Sequence, residues 1–297
     1  MKADNKYFNF IILFLLSLIW GSSYILMKKG LVSFSAIEVG MLRICSATLV
    51  LLPFLPKAFK SLNKNIFPFL ILVAFLGSGL PTYLYPLAIT KIDSSMAGII
   101  NSLTPLFTML FGWMFFQKKV TKLKVLGIFI AFLGAAVLAI NFTNGWQSIQ
   151  KLNKYALIAI LATVCYGLSS NILSAKLKNI KAIGLTALSF FFLFPFALII
   201  LYKSHTFNTV WYESSTHKSL FYVFILGAVG TALALILFNK LIQKTDAVYA
   251  TSVTYFIPIV AMLWGYFDGE ILGVKHFLGI TLIVIGVYIA NKRIKIT

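Results

Sequence analysis

Ten apolar stretches, each close to 20 residues and separated mostly by short polar connections, run from one end of the chain to the other. A helix rises 1.5 Å per residue, so about 20 residues cross the roughly 30 Å hydrocarbon layer of a bilayer. The stretches fall near 8–28, 36–56, 66–88, 95–116, 123–141, 155–175, 183–202, 219–241, 247–267 and 276–291. Only the connections at 142–154 and 203–218 are long, which leaves no room for a soluble domain. With 60% hydrophobic and 11% charged residues, the chain cannot supply a water-facing surface, for which about 25% charged residues is usual. The fold expected is all-α and integral to the membrane, with ten transmembrane helices.

A formal net charge of +19 would suggest a nucleic-acid partner in a soluble protein. Here the lysines sit almost wholly between apolar stretches, so the charge reports topology and no nucleic acid is called for. Basic residues in short loops favour the cytoplasmic face. Alternate sides of the ten stretches carry 17 and 8 basic residues, with Arg43 left inside the second stretch. Both termini are therefore expected in the cytoplasm, with the chain in a bacterial inner (cell) membrane. The run from Phe8 to Met27 lacks a small-residue cleavage site before Lys28 and Lys29, and reads as a retained first span rather than a leader. Cys45 and Cys165 each lie inside an apolar stretch and suggest neither a disulfide framework nor a metal site.

Residues 92–117 align without a gap on 245–270, placing Asp93 on Asp246, Ala97 on Ala250, Pro105 on Pro258 and Gly112 on Gly265. Shortening the next connection by one residue also puts Gly127 on Gly279 and Gly134 on Gly286, while Trp20-Gly21 aligns more weakly with Tyr166-Gly167. The expected units are residues 1–147 and 148–297. Five spans per unit is an odd number, so the second must enter the membrane from the opposite face. Inverted halves of this kind rock about a shared midplane site in transporters.

Residues that break the apolar rule mark candidate sites. Pro105 and Pro258 fall near the middle of the fourth and ninth stretches, where each removes a backbone hydrogen bond. The kinks either expose the carbonyls of Asn101 and Thr254 to a central cavity or are packing bends; their recurrence in both units favours the first. Polar candidates inside the spans are Ser22, Ser23, Asn101, Thr104, Ser169, Ser170, Asn171, Thr231, Asn239, Ser252 and Thr254. Many of the hydroxyls suit helix-to-helix bonding, and Asn101 and Asn171 are the better cavity candidates.

Trp113, Tyr222, Trp264 and Tyr266 lie near span ends and suit the interfacial belt. Trp20, Tyr24, Tyr83, Tyr85, Tyr166 and Tyr255 form a second aromatic group, of which Trp20, Tyr83, Tyr166 and Tyr255 lie deeper. Rings with one polar tip suit either plain packing or a cavity for an organic solute. Arg43 either snorkels to lipid phosphate or faces an outer vestibule, where it would attract an anionic group such as a carboxylate. Glu38, five positions away and so about 140° around the helix, is not its partner. The paired glycines of the fifth and tenth stretches offer smooth faces for close packing, within one protomer or between two copies in a homodimer.

Taken together, LIWGSSYILMKKG (18–30), MLRICSATLVLLP (41–53), YLYPLAITKIDSSMAGIINSLTPLFTMLFGWMFFQ (83–117) and KLKVLGIFIAFLGAAVLAI (122–140) make the chain resemble the drug/metabolite transporter superfamily, specifically its EamA-type permeases. The resemblance covers essentially the whole chain. It implies transport of a small organic solute, often export of an amino acid or related metabolite, through a cavity between the halves. Two departures stand out: the acidic residue such proteins place after the fourth helix is Gln117 here, though Glu270 keeps it after the ninth, and Ser189 stands opposite Arg43.

The residues favour a permease working by alternating access on a small-molecule substrate within the lipid bilayer, with no cofactor, metal or catalytic residue. The substrate-binding candidates are Trp20, Tyr24, Arg43, Tyr83, Asn101, Tyr166, Asn171 and Tyr255, with Pro105 and Pro258 as kinks. No Walker A pattern is present, and none of the seven acids sits at a midplane. An intramembrane enzyme is disfavoured because His205, His217 and His276 lie in or beside loops and no H-E-x-x-H occurs. A membrane sensor or assembly subunit would not need mirrored kinks.

Overall fold

The computed structural model describes residues 3–117, 122–139, 154–212 and 214–291, and all regular structure among them is helical. Among the described residues eight helices are long and apolar enough to cross a membrane: α1 (Ala3–Gly30, spanning from Phe8), α2 (Ala36–Phe59), α3 (Phe67–Ile89), α4 (Ser94–Phe116), α6 (Lys154–Lys176), α7 (Ala182–Lys203), α8 (Ser214–Lys244) and α9 (Ala247–Phe267). Two further helices, α5 (Lys122–Ala139) and α10 (Val274–Asn291), stand at the fifth and tenth expected positions. A short helix, Thr206–Tyr212, occupies the second long connection. The expected boundary between 147 and 148 lies outside the described residues.

Polar groups at the helix starts set where the chain turns. Ser35 and Glu38 close a reciprocal capping box on α2, and Glu38 Oε1 also accepts from the Thr206 hydroxyl at 2.5 Å. Glu38 is thus occupied at the helix end, clear of Arg43. Asp246 caps α9 by accepting from Tyr249 N at 2.9 Å. The aligned Asp93 makes no such cap on α4, where the Glu270 carboxylate takes the position instead.

Helices from the two ends of the sequence interleave. α1 packs on α8 and α9, α6 packs on α3 and α4, α2 faces α7, and α5 lies along α10. Glycines make the tightest of these approaches possible. A β-carbon on Gly21 would press into Val260 of α9, and one on Gly167 would fall 2.8 Å from Cβ of Phe107 in α4. Gly21 and Gly167 were aligned from sequence, and Val260 and Phe107 are 153 positions apart, so the two contacts repeat one another. A β-carbon on Gly134 would fall 2.8 Å from the Gly279 carbonyl, and one on Gly286 would press against Ala131 and Gly127. The glycine faces of α5 and α10 are therefore used against each other within the protomer.

Each of four helices departs from regular α geometry once near its middle. α4 breaks at Ser102–Leu103 and restarts at Thr104 with Pro105 in its first turn, where the missing N–H costs nothing. α9 tightens to 3₁₀ over Ser252–Tyr255 and restarts at Ile257 with Pro258 in the same position. The break does not leave the Asn101 carbonyl bare, because the Thr104 hydroxyl donates to it at 2.7 Å. α3 widens into a π-bulge over Phe75–Gly79, and α8 does so over Ala228–Leu233. Positions 75 and 228 are again 153 apart.

Candidate solute cavity

The four irregular turns surround one cavity at the junction of α1, α2, α3, α4, α6, α7, α8 and α9; among the described residues neither α5 nor α10 contributes to it. Counting its open part, it holds about 1000 Å³ of empty space. Of the eight substrate-binding candidates read from sequence, Trp20, Tyr24, Arg43, Asn101 and Tyr166 line it. Tyr83, Asn171 and Tyr255 stand outside its lining. Tyr83 and Tyr255 are half-buried against the apolar core. Asn171 donates to the carbonyls of Thr108 at 2.7 Å and Gly167 at 3.0 Å, tying α6 to α4.

One wall is a row of tyrosines. Tyr85 meets Tyr24 edge-on at 5.5 Å between ring centres and stacks on Tyr166 at 6.0 Å with 21° between planes. Both separations lie within the attractive range for aromatic pairs. The Tyr85 hydroxyl donates to Asn101 Oδ1 at 2.9 Å, which the Thr104 hydroxyl also approaches at 3.0 Å. Tyr85 thus anchors the row. From sequence it was grouped with these aromatics but not placed among the deeper ones.

The π-bulge of α8 supplies a further part of the wall. An extra residue in one helical turn releases backbone groups from the regular ladder. The Gly230 carbonyl accepts from Trp20 Nε1 at 3.1 Å, and the Trp20 ring packs edge-on against Phe238 at 5.0 Å. The Thr231 hydroxyl donates to the Leu226 carbonyl at 2.9 Å and accepts from Arg43 Nε at 2.5 Å. Arg43 is 6% exposed, so it reaches neither bulk water nor lipid phosphate, and the snorkelling account does not hold. Further along the lining, Asn239 donates to the Thr186 hydroxyl at 3.0 Å. Thr186 carried no sequence signal, since hydroxyls in membrane helices are common.

At the end of the bundle where α1 finishes, an ionic cluster joins α1, α4 and α9. Lys28 pairs with Asp268 at 2.8 Å and Glu270 at 2.9 Å, and Lys29 pairs with Asp268. Glu270 also accepts from Ser94 N at 3.0 Å, the Ser94 hydroxyl at 2.6 Å and Ser95 N at 3.1 Å. Burial alone would raise its pKa, but the hydrogen bonds from Ser94, Ser95 and Lys28 together outweigh that and hold it at about 2. Asp93 faces His276 at 3.8 Å beside this cluster. The counterpart of Glu270 at the other end of the repeat is Gln117, which closes α4 in a left-handed conformation at φ 53°.

The comparisons with known proteins agree with this architecture. The model of the EamA-like transporter family matches the chain twice, over residues 8–140 and 153–292. The chain is 22% identical over 297 residues to the uncharacterized transporter YvbV of Bacillus subtilis, covering 99% of this chain and 95% of that one. It is 24% identical to the uncharacterized inner membrane transporter YedA of Escherichia coli K12, covering 94% and 89%. A solved crystal structure superposes with a TM-score of 0.63 at 16% identity over 95% of both chains, a likeness of fold alone. With two matches that between them take in nearly every helix, this multi-pass membrane protein belongs to the EamA-like transporter family.

Proposed function

We propose that the protein carries a small organic solute, an amino acid or related metabolite, across the membrane by alternating access, with export as its direction. The observation that carries this reading is the composition of the cavity wall, to which both sequence halves contribute through matched irregular turns: the π-bulges of α3 and α8 and the proline breaks of α4 and α9. Helices broken at mid-depth are tolerated in a membrane where they line a cavity, and paired breaks mark the solute site of repeat-built transporters.

In this reading ten helices cross the bilayer as two inverted five-helix units, 1–147 and 148–297, and both termini lie in the cytoplasm of a bacterial cell with this inner membrane. The repeated contacts of Gly21 with Val260 and Gly167 with Phe107 support the pseudo-symmetry. Rocking of the units would open the cavity to each side in turn. Trp20, Tyr24, Asn101 and Tyr166 are proposed to touch the solute, whereas Tyr83, Asn171 and Tyr255 would act through packing around it.

Purified protein in lipid vesicles preloaded with unlabelled amino acids should drive saturable counterflow of the labelled compound. Linear, non-saturating flux for every amino acid and related metabolite tried would refute the reading. Reporter tags on the first and last residues should both be found on the cytoplasmic face; tags on opposite faces would refute the ten-span arrangement.

A further inference from the structure

Resting on the transport reading, we propose that Arg43 is the anion-binding residue of the cavity and that the transported solute carries a carboxylate, with net charge zero or −1. Among the described residues that line the cavity, Arg43 is the only one with a formal charge. No carboxylate among the described residues lies within ion-pair reach of it. Its two fixed contacts are the Thr231 hydroxyl on Nε and the Met27 sulfur 3.9 Å from Nη1, a weak acceptor. A guanidinium carries five N–H donors in a planar fork, so most of its hydrogen-bonding capacity is left facing the cavity.

A buried cation with one hydroxyl partner is unfavourable unless a counter-charge shares its site. The wall provides none, so the occupant must. The paired Nη edges match the two oxygens of a carboxylate or of a phosphate. Charge decides between them: one guanidinium balances a carboxylate, whereas a phosphate monoester would bring a second negative charge into a wall with no second cation. The rest of the solute meets the Tyr24, Tyr85 and Tyr166 rings and neutral hydroxyl and amide groups. These accept from an ammonium without neutralising it, so zwitterions are admitted and net cations are not. Thr231 is a positioning residue: anchored to the Leu226 carbonyl just before the π-bulge, it fixes the Nε edge and leaves the Nη groups, held only by the weak Met27 contact, for the occupant.

The test uses detergent-purified full-length protein and four carboxylates, leucine, phenylalanine, 4-methylvalerate and 3-phenylpropionate, each beside its primary amide. At least one acid should raise the melting temperature with a saturable dependence, and its amide should bind about tenfold or more weakly, the loss expected when a charge-assisted bond is removed. Arg43→Gln should abolish the difference between acid and amide. Thr231→Val, which keeps the charge, should lower the affinity for the acid while preserving the preference. Equal stabilisation by acid and amide, absence of any shift with all four acids, or loss of the preference in Thr231→Val as complete as in Arg43→Gln overturns the inference. The two readings fail separately: saturable counterflow of amides as good as that of acids sinks only the carboxylate requirement, whereas Arg43-dependent binding of acids without counterflow sinks only transport.

Discussion

The carboxylate of Glu270 accepts from both the backbone N–H and the hydroxyl of Ser94, at 3.0 and 2.6 Å, and so caps α4 from the far end of α9. A single side chain there satisfies two free N–H groups at a helix start and receives Lys28 from α1. The cluster ties α1, α4 and α9 together with charge, and its counterpart at the other end of the repeat has Gln117 in place of the acid.

Replacing this acid tests its structural weight. Glu270→Gln keeps the shape but loses the ion pair with Lys28 and turns one acceptor into a donor facing the Ser94 and Ser95 amides. Because Glu270 is only 8% exposed, the loss should be about 1–3 kcal/mol, as for a charged hydrogen bond. The measurement is thermal or denaturant unfolding of the purified protein, and an unchanged midpoint would show that the cluster is not stabilising.

The same group predicts a pH dependence. Its pKa falls from an ordinary value of 4.5 to about 2 in the folded chain. A depressed carboxylate pKa contributes stability that is fully present above the unfolded value and is lost as pH falls through the folded one. Melting temperature should therefore be insensitive to this group above about pH 5 and decline between pH 4.5 and 2. Asp268, lowered by Lys28 and Lys29 against the effect of its burial, acts in the same direction. Glu270→Gln should show a shallower decline than the wild type.

Close helix approach should be intolerant of a single methyl group. A β-carbon on Gly167 would fall 2.8 Å from the backbone nitrogen of Thr108, whereas one on Gly273 would meet nothing within 4 Å. Gly167→Ala should destabilise by about 1–3 kcal/mol through forced separation of α6 and α4. Gly273→Ala should leave unfolding essentially unchanged, and the pair of variants read side by side controls for general effects of glycine replacement.

Tyr85→Phe removes the hydroxyl that anchors the tyrosine row while keeping the ring. Asn101 Oδ1 loses one donor, and stability should fall by about 0.5–1.5 kcal/mol. If the row positions the solute, counterflow should show a raised half-saturation concentration with little change in protein yield. Identical transport by the variant would assign Tyr85 to packing alone.

Much of this molecule could be read along the chain. Hydropathy is a local and additive property, so the apolar stretches, the positions of their helices and the 153-residue repeat needed no tertiary information. That Trp20, Tyr24, Arg43, Asn101 and Tyr166 line the cavity follows the same logic, because polar groups buried in lipid-spanning helices have few places to go.

The fold decided what depends on angle and on distant partners. Tyr83 and Tyr85 are two positions apart on α3 and so face nearly opposite ways, but the π-bulge at Phe75–Gly79 adds a residue to one turn upstream and rotates everything after it. No regular helical period projected from the sequence can say which of the two meets Asn101. Glu270 and Ser94 are separated by 176 positions, and Arg43 and Thr231 by 188. Nothing in either residue's neighbourhood announces the other; the packing of α9 against α4, and of α2 against α8, brings each pair together.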